Sequence, residues 1–91
     1  MVVGCGGTSP PKLAQADAAP LITLAHRIAT ENGRGRARDI PRLQQRVIAL
    51  INAGRVPAKL QEPLSSTVNA VSLNPSLRAP KLEEWLRENS G

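Results

Sequence analysis

A chain of 91 residues with a net charge of +5 has room for one small domain and invites an anionic partner. Its single cysteine excludes an intrachain disulfide, and no stretch approaches the roughly 18–20 apolar residues of a membrane-spanning helix. Large apolar side chains are almost all Leu, Ile and Val, with one Trp and no Phe or Tyr, so the core is small and its stability modest.

In chain order, the first feature is Cys5, preceded by Val2-Val3-Gly4 and followed by Gly6-Gly7-Thr8-Ser9-Pro10-Pro11. An aliphatic residue, a small residue and a cysteine that opens a Gly/Ser/Thr/Pro tract resemble the lipobox of bacterial lipoproteins. The resemblance implies lipidation at Cys5 and a cell-envelope location, with two or three acyl chains supplying a stable anchor at about 0.8 kcal/mol per buried methylene. Only four residues precede Cys5, so this expectation carries with it a basic and apolar export signal upstream, of which these residues are the remnant. The alternative is a cytoplasmic protein with a Gly-rich start and an incidental thiol. Residues 6–16 have linker composition and predict a flexible tether, which divides the chain into a tether over 1–16 and a helical domain over 17–91.

Three helical stripes follow. Asp17 is expected to cap the first helix, with Pro20 in its first turn and Leu21, Leu24, Ala25 and Ile28 on one face, before Asn32-Gly33 ends the run. Asp39 is expected to cap the second, with Pro41 in the first turn and Ile40, Leu43, Val47, Leu50 and Ile51 inward up to Gly54. The third opens at Val56-Pro57 and steps through Leu60, Leu64, Val68 and Val71, with Pro63 interrupting it. A short fourth helix from Pro80 to about Asn89 points Leu82, Trp85 and Leu86 inward. Alternation of period two nowhere persists. The expected fold is therefore all-α: a small three-helix bundle with a short C-terminal fourth helix, preceded by the tether. The phrases Leu24-Ala25-His26-Arg27-Ile28-Ala29, Arg55-Val56-Pro57-Ala58, Leu60-Gln61-Glu62-Pro63-Leu64 and Val68-Asn69-Ala70 resemble small helical domains in exported proteins of high-GC bacteria, a resemblance over residues 17–74 that implies no particular activity.

Chemistry-bearing residues are sparse. His26 is the only histidine and falls off the apolar stripe, which predicts a solvent-facing rim position without an orienting partner for acid–base work. Asp17 and Asp39 are the only aspartates and read as caps. One Cys, one His and no clustered carboxylates give no metal site; Gly4-Cys5-Gly6-Gly7 follows no adequate strand, and Gly33-Arg34-Gly35 lies between the expected helices without the lysine and hydroxyl of a phosphate loop. No enzyme activity and no cofactor are expected.

Charge placement is the informative signal. Arginine outnumbers lysine nine to three, partly the imprint of a GC-rich genome. Residues 26–59 nonetheless hold eight basic groups against Glu31 and Asp39, a net of +6 that leaves −1 for the rest of the chain. Arg34, Arg36 and Arg38 are expected in a basic loop, and Arg38, Arg42 and Arg46 form a ladder at four-residue spacing. Like charges at that spacing repel by a few tenths of a kcal/mol, and phosphates reverse the sign. These five arginines are the candidate anion-binding face, with an anionic membrane surface or an envelope protein as the expected partner. Nucleic acid is the weaker alternative, because the aromatic platforms of single-strand readers are missing. A charge-independent protein adaptor is the other alternative, and a solvated face the plain one.

Overall fold

The computed structural model describes residues 11–31 and 33–91; Cys5, its lipobox-like surroundings and most of the expected tether lie outside the described residues. Four helices follow one another: α1 (Gln15–Thr30), α2 (Arg34–Asn52), α3 (Ala58–Leu73) and α4 (Pro75–Glu88). The expected all-α bundle is what forms. Helix α1 lies between α2 and α4, and α3 lies against the same two, so the four close into a ring around one core. Leu21, Ile28, Leu43, Leu64, Val71, Leu82 and Leu86 are fully buried there. All four expected inward residues of α3 are buried, and of α4's three, Leu82 and Leu86 are buried while Trp85 is half-buried against the cluster.

Three helix starts lie upstream of the positions that Asp and Pro mark in the sequence. Helix α1 begins at Gln15 with Ala14 as its N-cap, so Asp17 sits inside the first turn and pairs with Arg55. Helix α2 begins at Arg34 after Gly33, which places Asp39 in the helix interior rather than at its cap. Helix α4 begins at Pro75, five residues before Pro80. Pro63 does not interrupt α3, which runs unbroken from Ala58 to Leu73.

The prolines are compatible with these longer helices for one physical reason. Each helix carries an interior proline: Pro20, Pro41, Pro63 and Pro80. Each removes one N–H and leaves one carbonyl four residues back without its helical donor. Those carbonyls belong to Ala16, Ala37, Lys59 and Ser76, all exposed residues, so solvent is at hand as a donor and the proline is tolerated deeper than the first turn.

The end of α2 follows the expectation. Gly54 adopts φ +73°, its N–H donates to the Ile51 carbonyl at 3.0 Å, and the Arg55 N–H donates to the Leu50 carbonyl at 3.0 Å. This is the paired Schellman closure that glycine permits at no steric cost.

The folded unit starts earlier than residue 17. Leu13 is fully buried, its N–H donates to the Asn89 carbonyl at 2.7 Å, and the Gly91 N–H donates to the Leu13 carbonyl at 3.1 Å. The segment entering α1 is thereby strapped to the exit of α4, in a parallel bridge between Leu13 and Ser90. The tether expectation therefore fails from Leu13 onward. A chain lacking residues 1–11 sets the reference urea midpoint. Deleting residues 1–13 removes one buried leucine and two backbone hydrogen bonds and is expected to cost about 2–4 kcal/mol.

Candidate anion-binding face

The five arginines expected to act together divide into distinct roles. The stretch from Arg34 to Arg38 is not a loop but the first turns of α2. No acidic residue lies in that first turn, so Arg34 and Arg36 stand at the positive end of the helix dipole, each about 0.3–1 kcal/mol less favourable than a neutral residue there. Glu31 partly offsets this: a Cβ built on Gly35 would lie 3.1 Å from the Glu31 Cδ and closer still to its carboxylate oxygen, which therefore rests against the helix start.

Arg36 is used internally. Its Nε donates to the Ile28 carbonyl at 3.0 Å and its Nη1 to the Ser76 hydroxyl at 3.0 Å, so it ties the end of α1 to the starts of α2 and α4. Arg34 and Arg38 are exposed and make no ion pair among the described residues. Arg42 and Arg46 line one wall of an open groove between α1 and α2, of about 840 Å³.

The opposite wall holds the residue that sequence reasoning leaves out of the face. Arg27 of α1 reaches into the same groove, and the floor and sides are completed by Pro20, Thr23, Leu24, Ala49 and Leu50. The signal is present in the sequence: Arg27 borders the Leu24/Ile28 stripe by one position, which puts it on the flank of α1 that meets a neighbouring helix. What the sequence lacks is the identity of that neighbour.

Beneath this end of the groove sits Asp39, 1% exposed. Arg27 Nε lies 3.3 Å from Asp39 Oδ2, and Arg42 Nη1 lies 3.8 Å from Oδ1. The first approach is not aligned as a hydrogen bond and the second is too long for one, and both carboxylate oxygens lack a donor among the described residues. Asp39 is thus compensated by charge alone. A buried carboxylate flanked by two cations fixes their positions without consuming their donors. Arg27 gives one N–H to Glu31, at 3.1 Å, and the remaining donors of Arg27 and Arg42 have no other partner among the described residues.

A second polar cluster lies on the α1–α4 side. His26 is on the rim as expected but does have a partner: its Nδ1 is 3.2 Å from Glu83 Oε1, while Arg87 Nη2 donates to Glu83 Oε2 at 2.7 Å. The Arg87 hydrogen bond, supported by His26, holds the Glu83 carboxyl below its ordinary range despite partial burial. No group of three or more His, Cys, Asp or Glu side chains converges among the described residues, and no described helix is long and apolar enough to cross a membrane. No protein-family model, no curated protein and no solved structure matches this chain.

Proposed function

We propose that this protein is a non-catalytic helical binding module that lays the α1–α2 face, with Arg27, Arg42 and Arg46 at its centre and Arg34 and Arg38 beside them, against the anionic headgroups of a membrane surface. In the lipobox reading, Cys5 supplies a lipid anchor that keeps the module at the cell envelope, and the arginines orient it there. The observation that carries the proposal is the gathering of Arg27, Arg42 and Arg46 from two helices around one groove, where the buried Asp39 lies near Arg27 and Arg42, Glu31 also pairs with Arg27, and Arg46 has no acidic partner among the described residues. A solvated face has no need of such an arrangement. Nucleic acid fits less well, because the groove walls hold no aromatic residue on which a base would stack.

The test is co-sedimentation of the lipid-free domain with vesicles of phosphatidylglycerol and phosphatidylcholine, against phosphatidylcholine alone. Each surface-proximal arginine contributes about 1 kcal/mol, so Arg42→Glu with Arg46→Glu is expected to weaken binding more than about tenfold. Arg78→Glu with Lys81→Glu, on exposed positions of α4, is expected to leave it nearly unchanged. Binding to anionic vesicles should fall steeply as salt rises through about 0.15 M, where electrostatic reach is about 8 Å. Equal binding to both vesicle types, or tighter binding to duplex DNA at matched salt, overturns the proposal.

A further inference from the structure

The groove between α1 and α2 is graded from charged to apolar. The three-residue connection 31–33 makes α1 and α2 antiparallel neighbours. Arg36 on the Ile28 carbonyl and Arg27 beside Asp39 set their register near the turn, and Arg55 on Asp17 sets it at the far end. Counting away from the turn, the lining passes from Arg27 and Arg42, through Leu24, Thr23, Gln45 and Arg46, to Pro20, Ala49 and Leu50, so the end far from the turn carries no charge. At about 1.5 Å per residue, the wall from Arg42 to Leu50 is about 12 Å long. That is too short for a docked peptide helix of more than two turns. A nucleic acid or a flat headgroup layer would use the charged end and leave the apolar end unmatched.

We propose that this groove binds one anionic amphiphile, a phosphate monoester on an alkyl chain, with the phosphate between Arg27 and Arg42 and the chain lying over Leu24, Ala49 and Leu50. Asp39 supports this independently of the groove's shape. As a buried carboxylate lacking hydrogen-bond donors, it draws the two guanidinium groups to one end by charge; Glu31 takes the Arg27 Nε–H, and the Nη groups of Arg27 together with the N–H groups of Arg42 are left to meet phosphate oxygens, a pairing whose planar geometry suits arginine. The proposal shares its cations with the surface-docking reading, but it makes the apolar half of the groove a determinant of specificity, which surface docking does not require.

The experiment titrates the protein with dodecyl phosphate below its micelle concentration and reads affinity by calorimetry and location by methyl signals of Leu24, Ala49 and Leu50. Inorganic phosphate and dodecyl maltoside serve as head-only and chain-only probes. Dodecyl phosphate is expected to shift those methyls and to bind more than about tenfold tighter than inorganic phosphate, since burial of even two methylenes is worth about that factor, and more than about tenfold tighter than dodecyl maltoside, because only the phosphate meets the two guanidinium groups. Ala49→Trp, at an exposed position on one wall, and Thr23→Trp, exposed on the other, fill the groove while keeping every charge. Either is expected to weaken dodecyl phosphate at least about tenfold with anionic-vesicle binding retained. The proposal is overturned if dodecyl phosphate binds no tighter than inorganic phosphate, or if both tryptophan variants bind it as the wild type does. If dodecyl phosphate binds as expected while anionic vesicles do not, the surface-docking reading falls and this one stands.

Discussion

Replacing Leu82 by alanine is expected to lower the unfolding free energy by about 2–5 kcal/mol, a large part of what a domain of this size has in total. Leu82 is fully buried on α4, the helix that packs against both α1 and α3, so its truncation leaves a cavity in the core that these helices close. Urea unfolding followed by circular dichroism measures the loss. Leu77→Ala is the internal control: Leu77 lies on the same helix but is 53% exposed, and its truncation is expected to change stability by no more than about 0.5 kcal/mol. Comparable losses for the two would mean that α4 does not close the core as described.

The second large effect is expected at the buried aspartate, and its sign depends on which partner is removed. Arg27→Met with Arg42→Met leaves Asp39 buried without compensating charge and is expected to destabilise the fold by about 3 kcal/mol, in the range seen when one side of a buried pair is deleted. Asp39→Leu removes the buried charge itself and leaves two arginines that are about half exposed (48% and 56%); it is expected to be neutral or stabilising. Introducing Asp39→Leu into the double methionine variant should therefore restore most of the lost stability. A destabilising Asp39→Leu that the methionine substitutions do not modify would show that Asp39 has hydrogen-bonding partners and is held by more than charge.

The apolar stripes are legible from the sequence because burial in a helical bundle repeats every three to four residues, and Leu21, Ile28, Leu43, Leu64, Val68 and Leu82 fall where that period puts them. The helix starts are less legible. Asp17, Asp39, Pro41 and Pro80 carry the local chemistry of a first turn, and nothing local reveals that the chain continues helically upstream of them. That extension depends on tertiary anchors: Leu13 strapped to the exit of α4, and Arg36 binding the end of α1 and the start of α4. The site is half legible for the same reason. Arg42 and Arg46 share a helix, and their spacing places them together. Arg27 joins them only because α1 and α2 pack as neighbours, and Arg36 leaves the face because a carbonyl on α1 claims it. Asp39 is the least legible of all, since an aspartate ahead of Pro41 and an apolar stripe has the composition of a cap, whereas its location under two guanidinium groups is a property of the packed pair of helices.

The central claim is that the α1–α2 face, rather than the positive charge of the chain as a whole, meets the anionic partner. The direct measurement is the set of arginine Nε–Hε and backbone amide signals of the lipid-free domain, recorded with and without nanodiscs containing phosphatidylglycerol. Signals of Arg27, Arg42 and Arg46 are expected to shift and broaden together with those of Arg34 and Arg38, while Arg78 and the amides of Lys59 and Lys81 stay in place. Perturbation spread evenly over all basic residues, or centred on Arg78 and Lys81, would contradict the claim.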